Sequence, residues 1–518
     1  MKILLVEPFF RKSKPSIFKG RQSDDALWYP PLGLMKLARF HKNRGDEVKF
    51  VSGCDKSVMP NIDLFDLQAN WDRVYITTLF TFHFSNTIET INFYKKAVGG
   101  TISKIFIGGI MAALMENEIF KATNIMPIKG ILNSPAQIGL NGNENIDLLP
   151  PDYELIDPQI YAINDTFYAY TTRGCINKCG WCGVPSIEPK YVDYIDIKPM
   201  INSLREQYGD KPVLKLMDNN VLASKNLHKI VDDLITLGYG RGQFTKSIPK
   251  RSKIIDFNQG LDASFLTDKR MKLLSQLNIK PMRIAFDRVQ EKDQYVHALE
   301  IAHEYGVPEF SNYMLFNFND TPRDLYERLM VNIRLNEKWL KGKLSGKIYS
   351  YPMRYAPIND IKGNGSNKER ESLSQTNISK TNWLKNPVWI RRFTRNIEII
   401  KGAAHGAIST TPSLALRAIG ESFEEYLSNL YMPEELLRNR NAHEKKVYLN
   451  EPKRKPGSGL VEKFREFILR ILKDNDEKFY IFHNAIAPNS TESIKKALDS
   501  TNDRELKRWL ALYIKSNS

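Results

Sequence analysis

Apolar residues along this chain fall into two alternating series followed by a helical tail. Over residues 1–150, the runs KILLVEP, EVKFVSG, RVYITTL and KIFIGG alternate with PLGLMKLARFHKNRG and TIETINFYKKAV, whose apolar positions recur every three or four residues. Strand then helix, repeated, predicts a parallel α/β layer of Rossmann-like type. Gly33 and Gly108-Gly109 supply the turn positions where its loops meet a helix or ligand. No G-x-G-x-x-G fingerprint is present, which argues against an ordinary dinucleotide site. In NIDLLPPDYELIDP, Pro150 and Pro151 cannot sit inside regular elements and predict a domain joint.

A second series occupies residues 165–358. Its strand-like runs are FYAYTTR, VLKLMD, KIIDFNQG, MRIAFD, FSNYMLFNF and KIYSYPMRY, with helical segments such as IKPMINSLREQYG and DLYERLMVNIRLNEKWL between them. Six βα units predict a parallel sheet curled into a partial (βα)6 barrel, with the site at the carboxyl ends of its strands. From 359 to 518 a polar Gly/Ser/Asn-rich stretch gives way to amphipathic runs, among them WIRRFTRNIEIIKGAAHGAI and GLVEKFREFILRILK, and predicts a mainly helical region.

Composition sharpens this picture in one place. The 518 residues exceed a single core, and 42% hydrophobic with 26% charged residues describes an ordinary folded protein. The opening run MKILLVEPFF reaches Glu7 after too few apolar residues for a signal peptide or membrane span, so the expected location is the cytoplasm, with no membrane partner. Only four cysteines are present, and three lie in TTRGCINKCGWCGVP, as C-x3-C-x2-C. Such a cluster in a reducing compartment points to metal or catalysis rather than disulfides.

Three thiolates at this spacing, Cys175, Cys179 and Cys182, leave structural zinc short of a fourth ligand. Cys54 is far away in sequence, and no histidine lies between His83 and His228. A cubane held by three cysteines instead keeps one iron open to a small molecule. An incomplete zinc site and a chance cluster are the alternatives.

These residues, with the aromatic Trp181 just before the last cysteine, resemble the signature of the radical S-adenosylmethionine (SAM) enzymes. The resemblance implies a 4Fe-4S cluster on Cys175, Cys179 and Cys182. It also implies SAM chelated at the open iron and a 5'-deoxyadenosyl radical that abstracts hydrogen. SAM is then expected across Trp181 and the strand ends, at Asp218, Asn219, Gln259, Asp262 and Arg283. The family's Gly-Gly-Glu segment is replaced by Asp218-Asn219-Asn220. Helix capping is the plain alternative for such residues, with Asn220 or Ser224 starting a helix in MDNNVLASKNL. A reductant protein such as flavodoxin or ferredoxin is the implied partner.

The front layer resembles the cobalamin-binding-like domain of one branch of that family, in WYPPLGLMKLARFHKNRGDEVKFVSG and the later IGG. Its Asp-x-His-x-x-Gly segment is missing, so the expectation is a structural layer that has lost cobalamin; a cobalamin-dependent radical SAM methyltransferase is the alternative. His83 reads as a packed aromatic-run residue and Cys54 as a buried thiol. Tyr349, Tyr351 and Tyr355 read as strand packing.

Charge adds a second hypothesis. Lys and Arg exceed Asp and Glu by 75 to 59, and residues 359–518 hold 28 basic against 20 acidic residues. RNRNAHEKKVYLNEPKRK, with Tyr448, and KSIPKRSK at 246–253 are the densest stretches. Basic residues neutralise phosphates and an exposed tyrosine stacks on bases, so an iron-sulfur nucleic-acid-binding protein is the rival reading, and a solvated basic surface the bland one.

Overall fold

The structure is a computed structural model that describes residues 1–10, 27–59, 71–355, 357, 387–402, 406–440, 459–474 and 477–514. The described chain divides into two compact units. One comprises Met1–Leu261 and Asp268–Lys280, the other Asp262–Thr267, Pro281–Tyr355 and the described residues from 387 onward.

In the first unit the four front runs form β1 (Lys2–Glu7), β2 (Glu47–Ser52), β3 (Arg73–Thr78) and β4 (Ile105–Gly109), all parallel, in the order β2-β1-β3-β4. Ile3 to Val6 are fully buried. A strand covered on both faces has no polar side to show, which is why KILLVE reads as a continuous apolar run. Helix α1 (Leu32–Asn43) covers one face, with Leu34, Leu37 and Phe40 in one core with Ile3, Leu5 and Tyr75. Helices α2 (Phe84–Lys95), α3 (Ile110–Leu114) and α4 (Glu116–Thr123) cover the other, their Ile91, Met111 and Ile119 sharing a core with Leu4, Val6 and Ile107. Each such side chain contributes about 1.5–3 kcal/mol by leaving water. The sheet is doubly wound, but its order is the flavodoxin-like one rather than the 3-2-1 order of a Rossmann half, and its switch point lies between β1 and β3.

The six strand runs of the second series also form, as two three-stranded parallel sheets. The first unit holds β5 (Thr166–Ala169), β6 (Val213–Leu216) and β7 (Ile254–Phe257), with Tyr168, Lys215 and Asp256 side by side in register. Among its helices, α5 (Val184–Ile187) follows the cysteines, and α6 (Lys198–Tyr208) and α7 (Leu227–Thr236) return the chain between strands.

The second unit holds β8 (Met282–Arg283), β9 (Glu309–Phe316) and β10 (Lys347–Arg354), in the order β10-β9-β8. The run MRIAFD keeps only two residues in ladder register, because β8 pairs with β9 alone and only at Met282 and Arg283. After α8 (Asp268–Leu274) and α9 (Lys292–Glu304), helix α10 (Pro322–Lys341) begins at a capping box in which Thr321 and Asp324 satisfy each other's backbone N–H groups, with proline at its first position. The tail is helical as expected, over Arg391–Gly402, Pro412–Ile419, Phe423–Tyr431, Gly459–Lys473, Glu477–Ile486, Thr491–Ser500 and Arg504–Ala511. The polar linker 361–380 lies outside the described residues.

Candidate metal centre

The cysteine loop is built at the carboxyl end of β5 and anchored before it reaches Cys175. Beyond Ala169, Thr171 and Thr172 both turn their backbone N–H and hydroxyl groups onto one oxygen of Asp218, at the end of β6. Thr171 N lies at 2.9 Å, Thr171 Oγ1 at 2.7 Å and Thr172 Oγ1 at 2.8 Å, and Thr172 N completes the set. Asp218 is 3% exposed, and burial pushes its carboxyl pKa up against these four donors. Its other oxygen has no partner among the described residues.

Arg173 and Gly174 then form a buried clamp. Arg173 donates to Glu188 Oε1 at 2.8 Å and to Asp147 Oδ2 at 3.0 Å, with its guanidinium 3.2 Å from the Tyr170 ring centroid. Lys36 of α1 reaches the same Asp147 at 2.9 Å. The second Glu188 oxygen accepts from Gly174 N at 2.6 Å and from Asn219 Nδ2 at 2.8 Å. Gly174 has φ +71°, and a Cβ there would stand 2.5 Å from the Lys190 carbonyl oxygen, so only glycine fits. The antiparallel bridge between Arg173 and Val192 closes the clamp from the other side.

Past the clamp the chain leaves regular structure and the thiols receive donors. Asn177 N points at Cys175 Sγ at 3.3 Å, Asn220 Nδ2 at the same sulfur at 3.7 Å, and Val184 N at Cys182 Sγ at 3.5 Å. Cys182 N bonds the Cys179 carbonyl at 3.0 Å, which tightens the C-x2-C half. Among the described residues, no three His, Cys, Asp or Glu side chains converge as ligands of one ion would. Thiolates on a single zinc at about 2.3 Å would crowd to within roughly 4 Å of one another, whereas each cysteine of a cubane serves its own iron. N–H groups aimed at two of the three sulfurs, those of Cys175 and Cys182, suit the cluster's donor chemistry, since such bonds stabilise sulfur-borne negative charge.

No family profile matches the sequence, and no curated protein matches it. Among solved structures, the cobalamin-dependent S-adenosylmethionine radical enzyme OxsB matches with TM-score 0.45 and 12% identity, over 98% of this chain and 83% of that one. HydG, a maturase of the [FeFe]-hydrogenase, matches with TM-score 0.30 and 14% identity, over 78% of this chain and 93% of that one. The chain is similar to an S-adenosylmethionine radical enzyme. At these identities the functional reading rests on the cysteine loop itself.

The expected SAM contacts are found in different settings. Trp181 is half-buried between Cys179 and Cys182, and Gln259 is exposed just past β7, beside Gly260 with φ +92°. Asp218 and Asn219 face the cysteine loop through the contacts above. Asp262 and Arg283 belong to the second unit. There Asp262 caps the turn Ala263–Phe265 through Ser264, and Arg283 donates to Ser311 Oγ at 3.3 Å and Tyr313 Oη at 3.1 Å.

Sequence reasoning missed Lys36, Asp147, Arg173, Gly174 and Glu188 as parts of this site. The Arg-Gly pair directly before Cys175 was the available signal. His83 packs as expected, stacked on Phe10 at 4.9 Å and edge-on to Phe82 at 4.5 Å. Cys54 corrects the expectation of a buried thiol: it is exposed, because it follows edge strand β2 in a surface turn after Gly53.

The basic stretches are only partly described. Residues 441–458, with Tyr448, lie outside the described residues. In 246–253, Arg251 pairs with Asp165 and Lys253 with Asp210, while Lys246 and Lys250 are exposed. Among the described residues, no helix is long and apolar enough to cross a membrane.

Proposed function

We propose that this chain is a radical SAM enzyme in which Cys175, Cys179 and Cys182 hold one 4Fe-4S cluster and SAM lies beside Trp181 and the strand ends. The observation that carries the reading is C-x3-C-x2-C with Trp181 before the last cysteine, set on a clamped loop at the carboxyl end of the first of three parallel strands. Cys175, Cys179 and Cys182 would hold the cluster, which when reduced would supply the electron for reductive cleavage of SAM. The protein's own work is positional. The Asp218 and Arg173–Glu188 anchors hold the loop, and Trp181, directly before Cys182, sets an aromatic side chain beside it. The absence of an Asp-x-His-x-x-Gly segment supports a front sheet that works without cobalamin. With only Cys54 left over, a second cysteine-ligated cluster has no ligands, which argues against methylthio transfer.

The test is anaerobic reconstitution followed by dithionite and SAM. Wild-type protein is expected to hold about four iron atoms per chain and to yield 5'-deoxyadenosine, with both lost in Cys179→Ala. An iron-free, zinc-loaded protein would sink the reading. A cluster that binds SAM but never cleaves it would favour the iron-sulfur binding protein instead. Running the assay with added tRNA or DNA tests the large anionic substrate that the basic surplus of residues 359–518 suggests.

A further inference from the structure

Asp218-Asn219-Asn220 stands where the resembling family carries Gly-Gly-Glu, and all three side chains face the cysteine loop. Asp218 holds Thr171 and Thr172, and Asn219 holds Glu188, which in turn holds Gly174. Asn220 goes one step further, to the sulfur of Cys175 at 3.7 Å. That separation is a hydrogen-bond length for sulfur, whose larger radius lengthens N–H···S contacts relative to N–H···O.

Two further observations show that the amide is placed there. Asn220 precedes the short turn Val221–Ala223 in the position of an N-cap, yet its side chain makes no capping bond, so the local role the sequence suggested is not the one it performs. Its backbone is held as well: the Tyr191 hydroxyl donates to the Asn220 carbonyl at 3.2 Å, and the residue is 3% exposed. A buried primary amide that gives up a cap and faces a thiol has a use for that sulfur.

We infer that Asn220 is a positioning residue for the cluster, donating an N–H···S bond to the Cys175 sulfur and thereby raising the cluster's reduction potential. The inference rests on the proposed function, because it needs Cys175 to be an iron ligand. One-electron reduction adds negative charge that is shared by the sulfurs, so an N–H dipole aimed at one of them stabilises the reduced form more than the oxidised form. No bond breaks in this step; one electron enters from dithionite in the assay, or from a one-electron donor protein. Asn177 N shares the same sulfur at 3.3 Å, so the backbone supplies one donor whatever residue stands at 220.

The experiment is an EPR-monitored redox titration of reconstituted wild type, Asn220→Leu, Asn220→Ala and Asn220→Gln. Leucine keeps the shape and deletes the donor, alanine deletes both, and glutamine offers the donor again. At the wild-type midpoint, the leucine and alanine variants are expected to show about a tenfold lower ratio of reduced to oxidised cluster, equivalent to a fall of about 59 mV for one electron. Iron content should be unchanged, and glutamine should recover part of the ratio. A purely structural asparagine would change iron loading or thermal unfolding and leave the potential of loaded protein where it was. An unchanged midpoint in either donorless variant that loads iron overturns the inference alone. Failure of wild type to take up iron overturns it together with the reading beneath it. Loss of iron in both donorless variants while glutamine loads fully would overturn the tuning role, since the residue would then be needed for assembly.

Discussion

Each compact unit buries one arginine at the carboxyl ends of its three-stranded sheet, and the two are neutralised differently. Arg173, in the first unit, meets two carboxylates, Asp147 and Glu188, and these belong to segments that lead into or brace the cysteine loop. Burial works to raise the Asp147 pKa, but Lys36 and Arg173 outweigh it and hold the carboxyl below its usual value. Arg328, in the second unit and fully buried on α10, bonds a single carboxylate, Asp320, at 2.7 Å. Its other bonds go to the carbonyls of Phe286 at 2.9 Å, Leu315 at 2.8 Å and Asp324 at 3.2 Å. Here burial prevails, lowering the Arg328 pKa and raising that of Asp320. One arginine organises side chains around the cysteine loop. The other plugs backbone oxygens where strands stop, which is a task of folding.

The comparison predicts opposite phenotypes. Arg328→Met leaves three carbonyls and Asp320 buried without their cation, and the second unit should lose about 3–5 kcal/mol in chemical denaturation, while the folded fraction keeps its iron. Arg173→Met should cost less, about 1–3 kcal/mol, because Lys36 still covers Asp147, and Asn219 and Gly174 N still cover Glu188. Iron per chain, however, should fall to a small fraction of wild type. Gly174→Ala sharpens the point: it leaves every charge in place but drives a Cβ onto the Lys190 carbonyl oxygen, and should show the same iron loss. Wild-type iron loading in both Arg173→Met and Gly174→Ala would erase the distinction between the two arginines.

The sequence announced some of this and hid the rest for physical reasons. The strand runs were legible because buried parallel strands must be continuously apolar, and the cysteine triplet was visible because its three residues lie within eight positions. The clamp was not. Lys36, Asp147, Arg173 and Glu188 come from four separate segments, and each alone is an ordinary surface-type residue until the fold removes it from water. The Asn220 contact was hidden for a related reason: residue type and position offered a cap as the plain alternative, and the thiol 45 positions away becomes its neighbour only through the parallel pairing of β5 with β6. The extent of MRIAFD as a strand was overestimated because a strand-like run cannot reveal how many of its residues find a partner.

His483 adds a third way of handling a buried polar group, by keeping it uncharged, and gives the smallest expected effect. It is 1% exposed in the C-terminal helices, where burial pulls its pKa down to about 3. The Tyr431 hydroxyl and its Nδ1 share a hydrogen bond of 2.9 Å. Unfolded histidine titrates near 6.5, so above that pH both states are neutral and the packing contributes fully. As pH falls from 6.5 towards the folded value, only the unfolded chain takes up the proton, and stability is lost. Between pH 6.5 and 5 that loss should be about 2 kcal/mol. His483→Phe should be less stable at pH 7.5, since it deletes the hydrogen bond with the Tyr431 hydroxyl, yet should lose this part of the acid sensitivity. Thermal unfolding of the two proteins at pH 7.5 and 5 reads the difference directly. Parallel acid dependence would mean that the histidine is reached by water or by an anion, and that the second unit neutralises its buried groups much as the first one does.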